Sequence, residues 1–202
     1  MAFFNVSNQL IQIDTGKVRT YLYNKSLSSI SVYSDLGETQ VLGQRYIGMG
    51  TGTVTVSNPF GAPGIYMLVK YSSTANPAPT TAPAPVYWTD NTYTTVTGVN
   101  SESFGGSLNF IAGYLMLNTT DLTTLTNTQL NGALCFIQVA GRLIGGVVPG
   151  ATAIGDAIIG ASGNFTAGRI AANSALTNRT FGFAETAIVS GTANILLNCD
   201  II

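Results

Sequence analysis

Residues 132–202 read GALCFIQVAGRLIGGVVPGATAIGDAIIGASGNFTAGRIAANSALTNRTFGFAETAIVSGTANILLNCDII, and this stretch decides the fold class. Short apolar runs rich in β-branched residues, at 134–139, 143–148, 157–159, 180–184 and 195–197, alternate with Gly, Asn, Ser and Pro. Each run is too short for a useful helix, and the glycines between them cost helix stability. Strands joined by tight turns fit this rhythm. It predicts an all-β protein: a small antiparallel β-barrel, β-tulip or sandwich, with an extended N-terminal arm and a Pro-rich loop.

Composition narrows the function. Hydrophobic residues make up 46% of the 202, enough for a core, but charged residues only 8%, against about 25% in ordinary globular domains. Thr, Ser and Asn supply the polarity instead. A dispersed monomer normally carries mixed surface charge, so a chain this sparsely charged is expected to cover its surface with copies of itself or with a partner. The net charge is −1, and the eight Lys and Arg form no basic stripe. Nucleic-acid binding through phosphate neutralisation is therefore not expected. The absence of histidine removes His-based acid–base catalysis, His triads and His metal ligation. Cys135 and Cys199 fall in apolar runs and read as small buried hydrophobes; a disulfide would require neighbouring strands.

Taken in order, residues 1–14 alternate apolar and polar and fit an extended arm or a first strand. Residues 17–23 and 29–33 read as strands. Gly48, Gly50 and Gly52 invite a phosphate-loop reading, but Thr-Val-Thr-Val follows where a helix would be needed, so a turn or bulge is expected. Residues 65–71 are apolar on nearly both faces, the mark of a central strand. In residues 72–85, Pro77, Pro79, Pro83 and Pro85 predict an extended, solvated spacer or a loop over a neighbour, not a ladder. Residues 86–99 and 108–117 read as strands. Residues 119–130 favour a loop because of their β-branched load, with a short helix as the alternative. This divides the chain into an N-terminal β region (1–75, arm plus strands), a Pro-rich linker (76–86) and a C-terminal β-barrel domain (87–202). The N-terminus lacks the pattern of a secretory signal, and no apolar run suits a membrane span.

Candidate chemistry is thin. Asp14, Asp90, Asp121 and Asp156 sit beside Gly, Asn or Thr, and Asp35 stands two residues before Gly37, as turn residues do. No calcium-loop spacing occurs. Glu38, Glu102 and Glu185 are isolated. Glu185 lies within an apolar run and reads as solvent-facing or paired with an arginine such as Arg179 at a subunit contact; as a catalytic carboxylate it lacks a visible partner. Tyr87, Trp88 and Tyr93 could stack a sugar, but strand packing uses such residues constantly. No catalytic, cofactor-binding or metal-ligating residue is assigned, and no enzymatic activity is expected.

The segments NTYTTVTGVNSES, IAGYLML, LCFIQVAGRLIGGVV, GDAIIGAS, AGRIAA, RTFGFAETAI and ILLNCDI, spanning roughly residues 86–202, resemble the head decoration (cement) proteins of tailed bacteriophages. The resemblance implies a small β-barrel or β-tulip on the outer surface of a virion capsid. It also implies a homotrimer that clamps neighbouring major capsid subunits, with neither nucleic acid nor membrane as partner. It transfers no functional residues. The alternatives are a tail or fibre component, or a carbohydrate-binding β-sandwich using Tyr87, Trp88 and Tyr93.

Overall fold

A computed structural model describes residues 2–5, 10–12, 32–33, 40–43, 45–49, 63–75, 77–106, 109–117, 126–176 and 178–199. The expected strand at 17–23, Gly50 and Gly52, and Asp14, Asp35, Glu38 and Asp121 lie outside them. The described chain is all-β. Its strands are β1 (Ala2–Asn5), β2 (Leu10–Gln12), β3 (Val32–Tyr33), β4 (Gln40–Val41), β5 (Arg45–Met49), β6 (Gly64–Tyr71) and β7 (Ala84–Trp88). They continue as β8 (Thr95–Thr97), β9 (Ile111–Leu115), β10 (Leu134–Val147), β11 (Ala157–Gly160), β12 (Ala167–Ile170), β13 (Thr180–Ala184) and β14 (Thr192–Asn198). Twelve of them join one sheet, and β3 pairs with β4 in a second. Of the two readings of the N-terminal stretch, Ala2–Asn5 is a first strand, paired with β2 and β5.

Strand β10 organises the sheet. Its first half pairs with β6 on one side and β9 on the other, meeting both at Ile137. Strand β9 pairs with β7, β7 with β8, and β8 with β6, so the hydrogen-bonded ladder returns to its start through five strands. The β6–β8 pairing is parallel, where a wholly antiparallel sheet was expected. From Ala140 onward β10 takes β14 as its neighbour, and the outer sheet continues β14–β13–β11–β12, all antiparallel.

One strand serves both sheets because its backbone can bend between them. The register with β6 shifts between Gln138 and Ala140. The Gln138 side chain, fully buried, donates from Nε2 to the Arg142 and Ala140 carbonyls at 3.1 and 3.3 Å, bracing the bend. Gly141 has φ +92°, and a Cβ there would lie 2.8 Å from Gly64 Cα and from the Pro63 carbonyl. Only glycine meets both demands.

The core runs through both parts. Tyr66, Tyr71, Tyr87, Tyr114, Phe136 and Phe181 are its largest fully buried side chains. Phe181 packs edge-on against Tyr114 and Tyr87, with centroids 5.2 and 5.9 Å away, and so joins the outer sheet to the five-strand circuit. Tyr71 stacks on Phe165 at 5.9 Å and 15°.

The Pro-rich segment departs from expectation. Pro77, Pro79, Pro83 and Pro85 are all buried, and the segment is not a solvated spacer. The Tyr71 hydroxyl donates to the Pro77 carbonyl, and Val147 N donates to that of Pro83. Pro85 even lies in a ladder, opposite Tyr114. There β8 reaches only Tyr87 and Trp88, so β7 has one described neighbour at Pro85 and is locally an edge, the place where a strand admits proline. Strands β6, β7 and β10, which the three-part division of the chain assigns to different segments or sets astride a boundary, lie in one circuit of hydrogen bonds. Strands β4, β5 and β12 were not expected. Of the two readings of residues 119–130, the end of the stretch takes the alternative, a short helix, α1 (Asn127–Leu130), capped by Thr126 and Gln129 in a reciprocal pair that satisfies two orphan donors.

Candidate functional site

Four carboxylates fall within the described residues, and each is held by hydrogen bonds or an ion pair. Asp90 accepts from Thr92 N at 2.9 Å and Thr92 Oγ1 at 2.6 Å, the turn role expected of it. Glu102 accepts from Thr74 N (2.9 Å), Ala75 N (3.1 Å), Thr97 Oγ1 (3.2 Å) and Thr74 Oγ1, pinning the entry to the Pro-rich segment. Partial burial pushes its pKa up, but these hydrogen bonds outweigh burial and hold it below the ordinary value.

Asp156 is 2% exposed. It accepts from Ala153 N (2.8 Å), Ala172 N (3.0 Å) and Arg169 Nη1 (2.9 Å). The backbone donors Ala153 and Ala172, then Arg169, hold its carboxyl below the usual range against the pull of burial. Within the chain Glu185 pairs with Arg142 Nε at 2.7 Å across to β10. Its place in an apolar run follows from its position just after β13. Among the described residues, no three of Cys, Asp and Glu gather in a metal-binding cluster.

Both cysteines are buried, and no disulfide joins them. Burial raises the Cys135 thiol pKa well above its usual value. The Cys199 thiol donates to the Phe181 carbonyl at 3.2 Å.

The three aromatics considered for sugar stacking are not brought to one surface. Tyr87 is fully buried. Its hydroxyl accepts from Ala161 N at 3.0 Å and faces the Thr166 and Ala161 carbonyls at 3.1 and 3.2 Å, sewing β7 to the loop after β11. Burial, partly offset by the Ala161 bond, raises its pKa. Trp88 is also buried, and Tyr93 stands edge-on to it with centroids 5.5 Å apart, 38% exposed. Together they border a cavity of about 460 Å³. Met67, Trp88, Ala112 and Val139 bring four of the five circuit strands to its wall, and Arg45, Thr92 and Thr94 give it polar groups. No carboxylate lines it, so it offers shape, a cation and hydroxyls but no acid–base pair.

The outer sheet carries a different feature. Phe183 on β13 and Leu196 on β14 are cross-strand neighbours, 41% and 51% exposed. Arg142 lies opposite Leu196 on β10, and its ion pair with Glu185 flanks the apolar pair. A bulge between Ile158 and Ile159 makes this possible: it leaves Phe181 unpaired with β11 and buried, while Phe183 stays exposed. The pattern TFGFA alone, with two Phe at alternate positions, predicts both on one face. The sign that they part is the glycine between them, where a Cβ would lie 2.0 Å from the Leu196 carbonyl.

Comparison of the chain with protein families, with curated proteins and with solved structures finds no match. No helix among the described residues is long and apolar enough to cross a membrane.

Proposed function

We propose that this protein is a structural component that works by docking: a virion part seated on the outside of a phage capsid, holding neighbouring major capsid subunits together. The observation that carries the docking reading is the exposed Phe183–Leu196 pair. It lies on a sheet whose side chains otherwise alternate between core and solvent, as the β14 pattern shows. Exposed apolar neighbours rimmed by a charge pair fit a recognition patch, with desolvation at the centre and polarity at the rim. The sparse charge of the chain favours the same reading, and the capsid as partner follows from the resemblance to decoration proteins.

The test is co-sedimentation with empty capsid shells, read beside the shells' melting temperature. The expected result is binding, a raised melting temperature, and loss of both in Phe183→Asp and Leu196→Asp variants whose circular dichroism is unchanged. Shells that neither bind the protein nor gain stability would rule out the capsid.

A second reading, glycan binding, is favoured by the cavity beside Trp88 and Tyr93. Aromatic faces and hydroxyls suit a sugar ring. Here Tyr93→Ala is the variant of choice, because Trp88 belongs to the core. A glycan-array signal that disappears in this variant supports the reading, and a blank array removes it.

A further inference from the structure

The outer sheet ends at β12. Ala167–Ile170 pair with β11 on one side, and among the described residues no strand pairs on the other. A bare edge of this kind is a template for another strand. Proteins that must stay apart blunt it with proline, an outward lysine or a bulge. Strand β12 uses none of these. Its sequence is Ala-Gly-Arg-Ile, and its four pairs with β11 run without a register shift.

Its one charge is committed elsewhere. Arg169 donates to Asp156 Oδ2 at 2.9 Å, on a carboxylate that is itself buried. Ala172 N donates to the other oxygen of the same carboxylate, so the chain leaving β12 is tied into the same clasp. Asp156 therefore holds in place the one side chain that could have guarded the edge.

The edge also fits itself. An antiparallel pairing of two copies of β12, with a two-fold axis between Gly168 and Arg169, sets Ala167 opposite Ile170 of the second copy. It sets Gly168 opposite Arg169. Apolar meets apolar, and the arginine faces a glycine rather than its own copy. With a net charge of −1, two chains meet with little repulsion.

We infer that β12 pairs antiparallel with β12 of a second copy of this chain, so that the two outer sheets become one across an isologous contact. This contact is two-fold. It is separate from the three-fold association that the resemblance implies, and it does not depend on a capsid.

Sedimentation equilibrium of the whole chain over a range of concentrations tests it. The expected limiting mass is twice the 21.0 kDa of one chain. In Ala167→Lys/Ile170→Lys, lysines face each other twice across the axis, and dimerisation should weaken about ten-fold or more. In Ala167→Glu/Ile170→Lys each glutamate meets a lysine, and dimerisation should return. Hydrogen exchange of the unaltered chain gives a reading independent of any variant: protection of the amides at 167–170 should rise with protein concentration. A monomer at every concentration, a mass of three chains, a dimer indifferent to the paired lysines, or concentration-independent exchange at β12 would each overturn the inference.

Discussion

The five-strand circuit and the outer sheet share strand β10, yet they treat apolar side chains differently. In the circuit, β7 and β9 bury all five of their residues, and Leu134–Val139 on β10 are buried on both faces. In the outer sheet β14 alternates, and Phe183 and Leu196 reach solvent. The difference is what lies over each face. Circuit strands have packed neighbours on both sides, whereas the outer strands turn one face to the aromatic core around Phe181 and the other outward. The first arrangement holds the body together, and the second leaves a surface for contact.

Four substitutions probe that contrast, from the largest expected effect to the smallest. Ile137 sits where β10 meets both β6 and β9 and is fully buried. Ile137→Ala should cost about 2–5 kcal/mol in chemical denaturation, because the site is enclosed and cannot collapse around the lost atoms. Next, Gly182→Ala sets a Cβ against the Leu196 backbone, which no rotamer change can relieve. A loss on the order of 3 kcal/mol is expected, with exchange rates rising first in β13 and β14. Equal losses throughout the molecule would show that the two regions unfold as one.

Asp156 should give the outer sheet its acid sensitivity. Its folded pKa is depressed, so its contribution is complete above the ordinary carboxylate value of about 4 and is lost as pH falls through the lower folded value. Thermal melts between pH 7 and 2 should show this fall, and Asp156→Asn should flatten it while lowering the melting temperature at neutral pH. The remaining slope should include Glu102, whose pKa is also depressed. Last, Leu196→Ala removes an exposed side chain and should change stability by no more than about 0.5 kcal/mol. If it destabilises as Ile137→Ala does, the outward face is core and the contrast fails.

Much of the fold was legible. Residues 65–71 show their central position by being apolar on nearly both faces, and β6 indeed has β5, β10 and β8 as neighbours. The runs at 157–159, 180–184 and 195–197 became β11, β13 and β14. The two runs at 134–139 and 143–148 were separated by Gly141, yet they form one strand, because that glycine bends the ladder without ending it. Strand β12 escaped notice because Ala-Gly-Arg-Ile has no alternation to detect. The helix at Asn127–Leu130 could have been found from Thr126-x-x-Gln129, a capping signature outweighed by the threonines before it. The Arg169 and Ala172 contacts of Asp156 and the Arg142 contact of Glu185 were beyond reach, since these partners lie far along the chain.

The order of residues settled the all-β class, the sparse charge and the absence of histidine chemistry, because these depend on local periodicity and on residue counts. Tertiary structure alone decided that the prolines are buried, that Tyr87 belongs to the core while Phe183 does not, and that β12 stands at an edge. Each of these depends on which strand lies beside which. That is fixed by pairings between residues distant in the chain, such as Ile137 with Met67 and Leu115, and by bulges that turn a side chain from one face to the other.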